Sequence, residues 1–400
     1  MTNEYPPYIY GGIGTFCYNL SNALAAAGVH VRVMAGCPPQ EIRKHFPEPE
    51  TLHSNLEVVR VPRTTSLPPS HLWYQLMNMN TLRYLSSDVD VVHGQDCSAF
   101  PMIYLCKRKD KSRPWVITVH TGPRSELYSF LGSARAGQAS LREFISYVAG
   151  FPLWDLSIRG HARLADALVS VSESLMKEIA NDYSIDRAPL SFIHTGVDVD
   201  NLESVARRSE RRVPQNSGSD KVRLFLAGRF YWRKGVLHLL RSLAYLVHEF
   251  DFDSFRLEIF GRGPLETKIR QDILRLGIGR NVVMRGFAPY DEVIASMASS
   301  HVVCFPSSYE ACPLGMIEAM ALAKPVAAFD RPYSRELLGI DPQLPLARTT
   351  KEYARLLYSL CTSEDLRGRI GKRLNARARA EFDIKIIADK YSKLYRDISS

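Results

Sequence analysis

Short apolar segments alternate with amphipathic ones along the whole chain, and this alternation limits the choice of fold more than any other feature. The apolar segments are rich in valine and isoleucine, which is typical of parallel strands buried on both faces. The sequence therefore predicts an α/β fold of doubly wound parallel sheets. Strands are predicted over residues 29–35, 89–93, 115–120, 167–171, 222–227, 256–260, 282–284, 301–305 and 325–329.

One polar segment divides the alternation into two halves. Residues 201–221 are highly charged and end in a stretch rich in Pro, Asn, Ser and Gly, which is typical of a connection between domains. A chain of 400 residues is also long for one hydrophobic core. We therefore predict a first domain over 1–200, a linker over 201–221, a second domain over 222–383 and a final amphipathic helix over 384–400. Further helices are predicted over residues 15–27, 236–248, 264–276, 290–299 and 313–323.

The positive charge is concentrated in the second half of the chain. Residues 1–200 hold 18 basic and 19 acidic side chains, whereas residues 201–400 hold 33 and 23. A basic second domain suits an anionic small ligand, with an acidic membrane surface or a nucleic acid as alternatives. No motif has the interleaved aromatic side chains of nucleic-acid readers, so we expect no nucleic-acid partner.

Cysteine spacing and hydropathy point to a cytoplasmic protein. The seven cysteines form no CxxC pair, which argues against a disulfide framework or a zinc site. The sequence has no run of about 18 apolar residues, so no membrane-spanning helix is predicted. The N-terminal residues lack the basic and apolar regions of a secretory signal. Three Asp-x-Asp strings occur, and none is interpreted as a metal-binding motif; Asp88 and Asp90 precede their predicted strand instead of following it.

Glycines and histidines lie where doubly wound sheets bind ligands, beyond the carboxyl ends of the strands. Gly11, Gly12 and Gly14 precede the first predicted helix, where amides and the helix dipole can hold a phosphate. A plain tight turn is the alternative. His93 and His120 each end a predicted strand, and a structural hydrogen-bonded histidine is the alternative for both.

Cations follow the first strand of the second domain. Gly228 and Arg229 come directly after it, and Lys234 precedes the next helix. Two cations in such a loop can hold a diphosphate, although exposed surface charges are the alternative. Arg262 and Gly263 follow the next strand and predict either a nucleotide-contacting turn or a simple strand-to-helix turn.

Glu310 and Glu318 form the most informative pair of residues. Glu310 follows a predicted strand, and Glu318 lies about one and a half turns into a helix that begins at Pro313. Between them, Leu314 and Gly315 supply amides that the first turn leaves unpaired. Two carboxylates that flank such amides suit a sugar–diphosphate–ribose ligand, because carboxylates accept hydrogen bonds from vicinal hydroxyls. A helix cap and a solvated glutamate are the alternative.

Taken in order, a series of motifs resembles the retaining GT-B glycosyltransferases of family 4, which include sucrose synthases, bacterial mannosyltransferases and relatives of glycogen synthase. The resemblance covers nearly the whole chain and implies two Rossmann-like domains facing a central cleft, with the C-terminal helix crossing back to the first domain. The motifs are NEYPPYIYGGIGTF, DVVHGQD, ITVHTG, VSVSESL, GVDVD, GRFYWRKG, FGRGPLE, RGFAPYDEV and PSSYEACPLGMIEAMALAKPV.

The resemblance also implies a metal-independent hexosyltransferase that uses a nucleotide-diphosphate sugar and retains the anomeric configuration. Glu318 would bind the ribose, Arg229 and Lys234 the diphosphate, and Glu310 the sugar. The acceptor would be a carbohydrate or a lipid-linked molecule, with peripheral membrane contact left open. The implied donor-binding residues are Gly11, Gly12, Gly14, Gly228, Arg229, Lys234, Arg262, Gly263, Glu310, Leu314, Gly315 and Glu318; the catalytic ones are His120, Arg229, Lys234 and Glu310; the acceptor-side ones are His93, Gln95 and Arg124.

Two departures from the family pattern matter. The family normally has an apolar strand before the NEYPP segment, whereas here Met1 almost adjoins it, so we expect a first domain whose first strand is missing or truncated. The usual Gly-Phe-Gly after the first glutamate is replaced by residues 311–315, which still predict a helix start with unpaired amides.

Three other functions stay open at this point. A glycoside hydrolase could use Glu310 and Glu318 as its acid and nucleophile, but that leaves Arg229 and Lys234 unexplained. A family member that binds nucleotide sugar without turnover is the second alternative. A basic nucleic-acid binder is the third.

Overall fold

The chain divides into two compact units. The first comprises Met1–Glu126, Tyr147–Gly196 and Ile384–Ser400, and the second comprises Leu127–Ser146 and Val197–Asp383. The computed structural model describes residues 1–9, 11–37, 53–62, 88–107, 113–137, 139–183, 185, 189–210, 221–339 and 346–400.

All the described strands pair in parallel. In the first unit, β1 pairs with β2, and a four-stranded sheet has the order β3-β4-β5-β6. In the second unit the order is β11-β10-β7-β8-β9. The strands are β1 (Val31–Cys37), β2 (Leu56–Pro62), β3 (Val92–Gln95), β4 (Trp115–Val119), β5 (Ala167–Ser170), β6 (Leu190–Phe192), β7 (Val222–Ala227), β8 (Phe255–Phe260), β9 (Val282–Gly286), β10 (Val302–Phe305) and β11 (Val326–Ala328).

Helices connect the strands and bury their apolar faces. The described helices are α1 (Gly12–Ala26), α2 (Phe100–Lys107), α3 (Pro123–Arg135), α4 (Leu141–Leu164), α5 (Glu173–Asp182), α6 (Val199–Glu210), α7 (Val236–His248), α8 (Glu266–Arg275), α9 (Tyr290–Ser299), α10 (Leu314–Ala321), α11 (Pro332–Leu338), α12 (Thr350–Thr362), α13 (Glu364–Glu381) and α14 (Ile384–Ser399). Within the described ranges, none of them is long and apolar enough to cross a membrane.

The final helix returns to the first unit, as the resemblance implies. The Tyr391 hydroxyl lies 2.9 Å from Thr118 Oγ1 on β4, and its ring packs against Phe16 of α1. Tyr391 is completely buried. These contacts give α14 a fixed place against the β3–β6 sheet.

The structure corrects the predicted linker. Residues up to Glu210 form α6, which packs against α9 and α10 of the second unit. Its buried side chains Leu202, Val205 and Ala206 recur at helical spacing and form an apolar stripe on the helix. The many charged residues between them make this stripe hard to recognise in the sequence. The remainder of the predicted linker, 211–220, lies outside the described residues.

The other differences are elements that the sequence analysis did not predict, among them helices α2–α5 and α11–α13, and shifts at the ends of predicted elements. Strands β2 and β6 were not predicted, and β6 has only three residues, two of them exposed. Helix α1 begins at Gly12, not at residue 15, so Gly12 and Gly14 belong to its first turn instead of a preceding loop. Most other predicted elements lie within about three residues of the observed bounds, and β7, α7 and α9 coincide with their predictions.

Candidate functional site

In the second unit, the loops after β7 and β8 pack backbone against backbone at positions that only glycine can occupy. Gly261 has φ 139°, and a Cβ there would lie 1.9 Å from the Gly228 carbonyl oxygen. A Cβ on Gly263 would lie 2.7 Å from the Phe230 backbone nitrogen. The close approach of the two loops therefore requires glycine at positions 261 and 263 and fixes the backbone of Arg229 and Arg262, and the donor-binding role of Gly228 and Gly263 stays a prediction. Both arginines are exposed.

A largely buried ion pair joins the loop after β7 to the loop after β10. Lys234 Nζ lies 2.6 Å from Glu310 Oε1, and the two side chains are 23% and 9% exposed. The Lys234 stem passes close to Gly228, where a Cβ would lie 3.4 Å from its Cδ. Three of the predicted donor-binding residues, Lys234, Glu310 and Gly228, therefore lie together.

Burial and charge act in opposite directions on this pair. Burial lowers the pKa of Lys234 below its ordinary value, although Glu310 favours the charged form. Burial raises the pKa of Glu310, but the cations Lys234 and Arg233 outweigh it and hold that pKa below its ordinary value. Glu310 is therefore ionised at neutral pH, which suits an acceptor of hydrogen bonds and not a proton donor.

The N-terminus of α10 lies beside this pair. Pro313 precedes the helix, and the amides of Leu314 and Gly315 belong to the first turn, where no intrahelical acceptor exists for them. A Cβ on Gly315 would lie 3.9 Å from the Phe305 ring, and Lys234 Nζ lies 5.8 Å from the centre of the same ring. Phe305, the last residue of β10, therefore lies close to both the Lys234 ammonium and the N-terminus of α10.

Glu318 is oriented by a residue that the sequence analysis missed. The Tyr290 hydroxyl, at the first position of α9, donates to Glu318 Oε1 at 2.7 Å. Glu318 is 8% exposed. Burial raises its pKa, and the bond from Tyr290 opposes the rise. A Cβ on Gly315 would lie 3.8 Å from the other oxygen, Oε2, so this oxygen points toward the first turn of α10.

Helices α3 and α4 support the β7 loop through their facing ends. The buried Glu143 carboxylate accepts the Trp232 amide at 3.1 Å, and Phe130 packs edge-on against the Trp232 indole at 5.6 Å. Glu143 also accepts the Ser140 amide and hydroxyl. These contacts fix the turn that carries Lys234.

In the first unit, His120 is buried in a hydrogen-bonded cluster. Its Nε2 lies 2.7 Å from Gln95 Oε1, and its backbone amide donates to Asp96 Oδ1 at 2.7 Å. Burial lowers the pKa of His120 to about 3, so the imidazole is neutral at physiological pH. Gln95, the second predicted residue here, orients His120 and also lies 3.1 Å from His93 Nε2.

Two of the predicted acceptor-side residues are engaged in packing. His93 Nδ1 lies 2.6 Å from the Tyr395 hydroxyl and Nε2 lies 2.7 Å from Thr118 Oγ1, which matches the structural alternative for this histidine. The Arg124 guanidinium donates to Asp155 at 3.0 Å and stacks over the Tyr183 ring at 4.7 Å. Both side chains thus have partners within the first unit, and their role on the acceptor side stays a prediction.

Gly11 and Gly14, at the start of α1, lie against the Glu4 side chain. Gly11 N–H donates to Glu4 Oε2 at 2.8 Å, and a Cβ on Gly14 would lie 2.9 Å from Glu4 Cβ. Glu4 thus occupies the helix N-terminus to which the sequence assigned a phosphate, and it interacts favourably with the helix dipole there. Sequence analysis missed Glu4 because only the fold brings it back to the helix.

Asp96 is a third missed residue, and its protonation gives a pH prediction. Its φ is 46°, and burial raises its pKa to about 7, with the His120 amide opposing the rise. A raised carboxyl pKa contributes stability at low pH that is lost as the pH rises from about 4 to about 7. Asp96→Asn keeps the acceptor for the His120 amide and removes the buried charge. We expect it to raise Tm at about pH 8 by at least roughly 2 °C, and by less at about pH 5, in thermal melts. An equal gain at both pH values would contradict this account.

Two units of parallel α/β sheet with a final helix returning to the first are the arrangement of the GT-B fold. Sucrose-phosphate synthase of Thermosynechococcus elongatus aligns with a TM-score of 0.73 and 18% identity, covering 97% of this chain and 94% of that one. HepE of Anabaena, solved in complex with UDP and glucose, aligns with a TM-score of 0.70 and 15% identity, covering 99% and 98%. These likenesses confirm the predicted fold class.

Two glycosyltransferase family models together match most of the chain. Residues 10–201 match Glycosyltransferase Family 4 and residues 207–376 match Glycosyl transferases group 1. The chain belongs to this glycosyltransferase family and is an enzyme of the transferase class, which confirms the resemblance and excludes the hydrolase reading.

Three named relatives are about a quarter identical to the chain over the aligned residues. The MMP alpha-(1->4)-mannosyltransferase of Mycolicibacterium hassiacum is 26% identical, over 83% of this chain and 80% of its own length. The phosphatidyl-myo-inositol mannosyltransferase of Mycobacterium leprae is 25% identical, over 98% and 96%. Glycogen synthase of Mycobacterium tuberculosis is 25% identical, over 81% and 75%.

Proposed function

We propose that this enzyme transfers a hexose from a nucleotide-diphosphate sugar to an acceptor hydroxyl, with retention of the anomeric configuration and without a metal ion. The observation that carries the proposal is the buried Lys234–Glu310 pair beside the N-terminus of α10. The cation and the unpaired amides suit the diphosphate of such a donor, and the ionised carboxylate beside them suits the hydroxyls of its sugar.

The diphosphate is the group that leaves, and its charge grows in the transition state. Lys234 and Arg229 supply positive charge, and the first-turn amides of Leu314 and Gly315 supply donors that are already oriented. Fixed cations and amides can do the charge stabilisation that a divalent metal does in other transferases. Among the described residues, no group of three or more His, Cys, Asp or Glu could hold a metal ion.

The two carboxylates are assigned to the two sugars of the donor. Glu310 is ionised, and it can accept hydrogen bonds from the hydroxyls of the transferred hexose while Lys234 holds it in place. Glu318 can accept from the ribose hydroxyls through Oε2, because Tyr290 already occupies Oε1. Arg262 and Gly263 are assigned to the nucleotide base.

Retention is proposed to follow from attack on the same face as departure. A leaving-group oxygen takes the proton of the acceptor hydroxyl, so the protein supplies orientation and charge stabilisation. Glu310 is a poor nucleophile for a double displacement, because its charge is committed to Lys234. The catalytic role that the resemblance implies for His120 stays a prediction.

The relatives indicate the range of substrates. Their names include mannosyltransferases and a glycogen synthase, and HepE has been solved with UDP-glucose. We infer a carbohydrate or lipid-linked acceptor for this chain, with UDP-, GDP- and ADP-hexoses as the donors to compare.

A thermal-shift screen tests the donor site. One of UDP, GDP and ADP, added without metal at about 100 times its dissociation constant, should stabilise the protein by about 2.7 kcal/mol. Glu318→Ala should weaken binding at least roughly tenfold, because a hydrogen bond to a charged group contributes about 1.5–3 kcal/mol. Glu292→Ala, which removes an exposed glutamate on α9, is the matched control and should bind normally. No shift with any nucleotide, or an equal shift in Glu318→Ala, would contradict the proposed site.

Release of the nucleotide distinguishes an enzyme from a binding protein of the same family. We expect the enzyme to release UDP, GDP or ADP slowly from the matching nucleotide hexose even when water is the only acceptor. Tight binding without any release would favour the alternative of a family member without turnover.

A further inference from the structure

Two hydrogen bonds just beyond β10 tie the carboxyl ends of β7, β10 and β11 together. The Ser308 amide donates to the Arg233 carbonyl at 2.7 Å, which joins the loop after β10 to the loop after β7. The Tyr333 hydroxyl donates to the Ser307 carbonyl at 2.7 Å, which joins the same loop to the segment after β11. Because β10 lies between β7 and β11 and Arg331 is two residues before Tyr333, the two arginines approach the β10 loop from neighbouring strands on either side.

The charges of both arginines act in the surroundings of Glu310. Burial raises the pKa of Glu310, but Lys234 and Arg233 hold it below its ordinary value. Burial and Glu310 raise the pKa of the Tyr333 hydroxyl, whereas Arg331 lowers it. Glu310 and Arg331 are therefore both close enough to act on one hydroxyl, the one that is bonded to the β10 loop.

The carboxylate next to Arg331 does not neutralise it. The Asp330 oxygens accept from Arg335 at 2.5 and 2.7 Å, and Arg348 Nε lies 3.4 Å from one of them. In the part of the chain that the structure describes, the Arg331 guanidinium makes one hydrogen bond, at 3.5 Å to the Asp330 carbonyl. Arg331 is exposed, so its charge is available to a ligand.

The site has more positive charge than the proposed donor needs. Each phosphate of a nucleotide sugar carries one negative charge at neutral pH, and Glu310 adds one more. These three negative charges balance three of the four cations Arg229, Arg233, Lys234 and Arg331. The remaining guanidinium lies beside the carboxylate that is assigned to the transferred sugar, where it can pair with an acidic group of a substrate.

We propose that Arg331, together with Arg233, binds an acidic group of a substrate, a phosphate monoester or a carboxylate, next to the sugar that Glu310 holds. The inference deepens the proposed function and rests on it. The acidic group belongs either to a donor whose sugar is a hexuronic acid or to an acceptor that carries phosphate or carboxylate. A guanidinium suits both groups, because its planar N–H donors match two oxygens at once.

Titration calorimetry with glucose, glucose 6-phosphate and glucuronate tests the site, with and without the nucleoside diphosphate that the nucleotide screen selects. The enzyme should bind the acidic sugars at least roughly tenfold more tightly than glucose, because a hydrogen bond to a charged group contributes more than a neutral one. Arg331→Ala should lose most of this preference, and Arg331→Lys, which keeps the charge without the planar fork, should retain part of it. Arg355→Ala, on an exposed position of α12, is the matched control and should keep the full preference. Thermal melts of each variant show that it folds.

A second comparison separates the two sources of the acidic group. A nucleotide hexuronate and a nucleotide hexose with the same nucleotide are titrated into the enzyme and into Arg331→Ala. An acidic donor predicts tighter binding of the hexuronate, lost in the variant; an acidic acceptor predicts equal binding of the two donors, with the acidic sugars binding the enzyme–nucleotide complex.

The outcomes for the acidic site and for the donor site are distinct. Equal binding of acidic and neutral ligands in both comparisons, or an unchanged preference in Arg331→Ala, would overturn the proposal. Absence of nucleotide binding would instead contradict the proposed function, and the titrations without nucleotide would still decide whether Arg331 binds an acidic group.

Discussion

Replacing Lys234 with methionine should lower the rate of sugar transfer by at least about 100-fold, since removal of one preorganised group that stabilises transition-state charge typically costs that much. The methionine has a similar length but no charge, so the leaving diphosphate loses its buried cation. Steady-state kinetics with the donor identified by the nucleotide screen measure the effect. Most of the loss should appear in kcat, because the charge on the diphosphate is largest in the transition state.

The same replacement also leaves Glu310 buried without its partner, and a control must separate these effects. Breaking a buried ion pair from one side costs about 3–5 kcal/mol of stability. The double variant Lys234→Met with Glu310→Gln removes both charges, and it should recover much of the lost stability without recovering activity. Lys372→Met, on an exposed position of α13, should change neither. Recovery of activity in the double variant would contradict the role of Lys234.

Gly235→Ala should strongly destabilise the second unit, because it adds a methyl group against a backbone atom beside the site. Gly235 has φ 63°, and a Cβ would lie 1.9 Å from the Pro306 carbonyl oxygen. A backbone atom cannot move away as the end of a side chain can, so the turn that carries Lys234 must shift. We expect Tm to fall by at least roughly 5 °C and the KM for the donor to rise, measured by thermal melts and kinetics.

Gly279→Ala is the matched control for this change. Gly279 has no heavy atom within 4 Å of its Cβ position, and its φ is outside the left-handed region. The alanine there should leave Tm within about 1 °C of the parent and the KM unchanged. If the two alanine variants have the same Tm and the same KM, close packing of the β7 and β10 loops does not position Lys234.

The parts of the fold that sequence predicts best are those in which local pattern and burial agree. β7 and α7 were predicted to the residue, because their apolar residues are buried at the period that each element requires. β6 escaped prediction because an exposed edge strand of three residues has no buried face to give a pattern. α6 was not predicted, because its polar face carries so many charged residues that the segment has the composition of a linker.

The candidate site shows the same limit for side chains. The sequence could place Lys234 and Glu310 at the ends of β7 and β10, and the order β10-β7 brings these ends together. It could not show that Tyr290 bonds Glu318, because that contact joins two helices whose approach depends on the fold. Nor could it show that His93 contacts Tyr395 and Thr118, because the fold alone brings these residues from distant parts of the chain.

The most direct test of the central claim is an NMR experiment that follows the anomeric proton of UDP-, GDP- and ADP-hexoses incubated with the enzyme and EDTA. The account predicts that one donor is consumed, that its nucleoside diphosphate is released, and that the first sugar product has the anomeric configuration of the donor. Inversion of configuration, complete loss of turnover in EDTA, or no consumption of any donor would contradict a metal-independent retaining transferase built around Lys234, Glu310 and the N-terminus of α10.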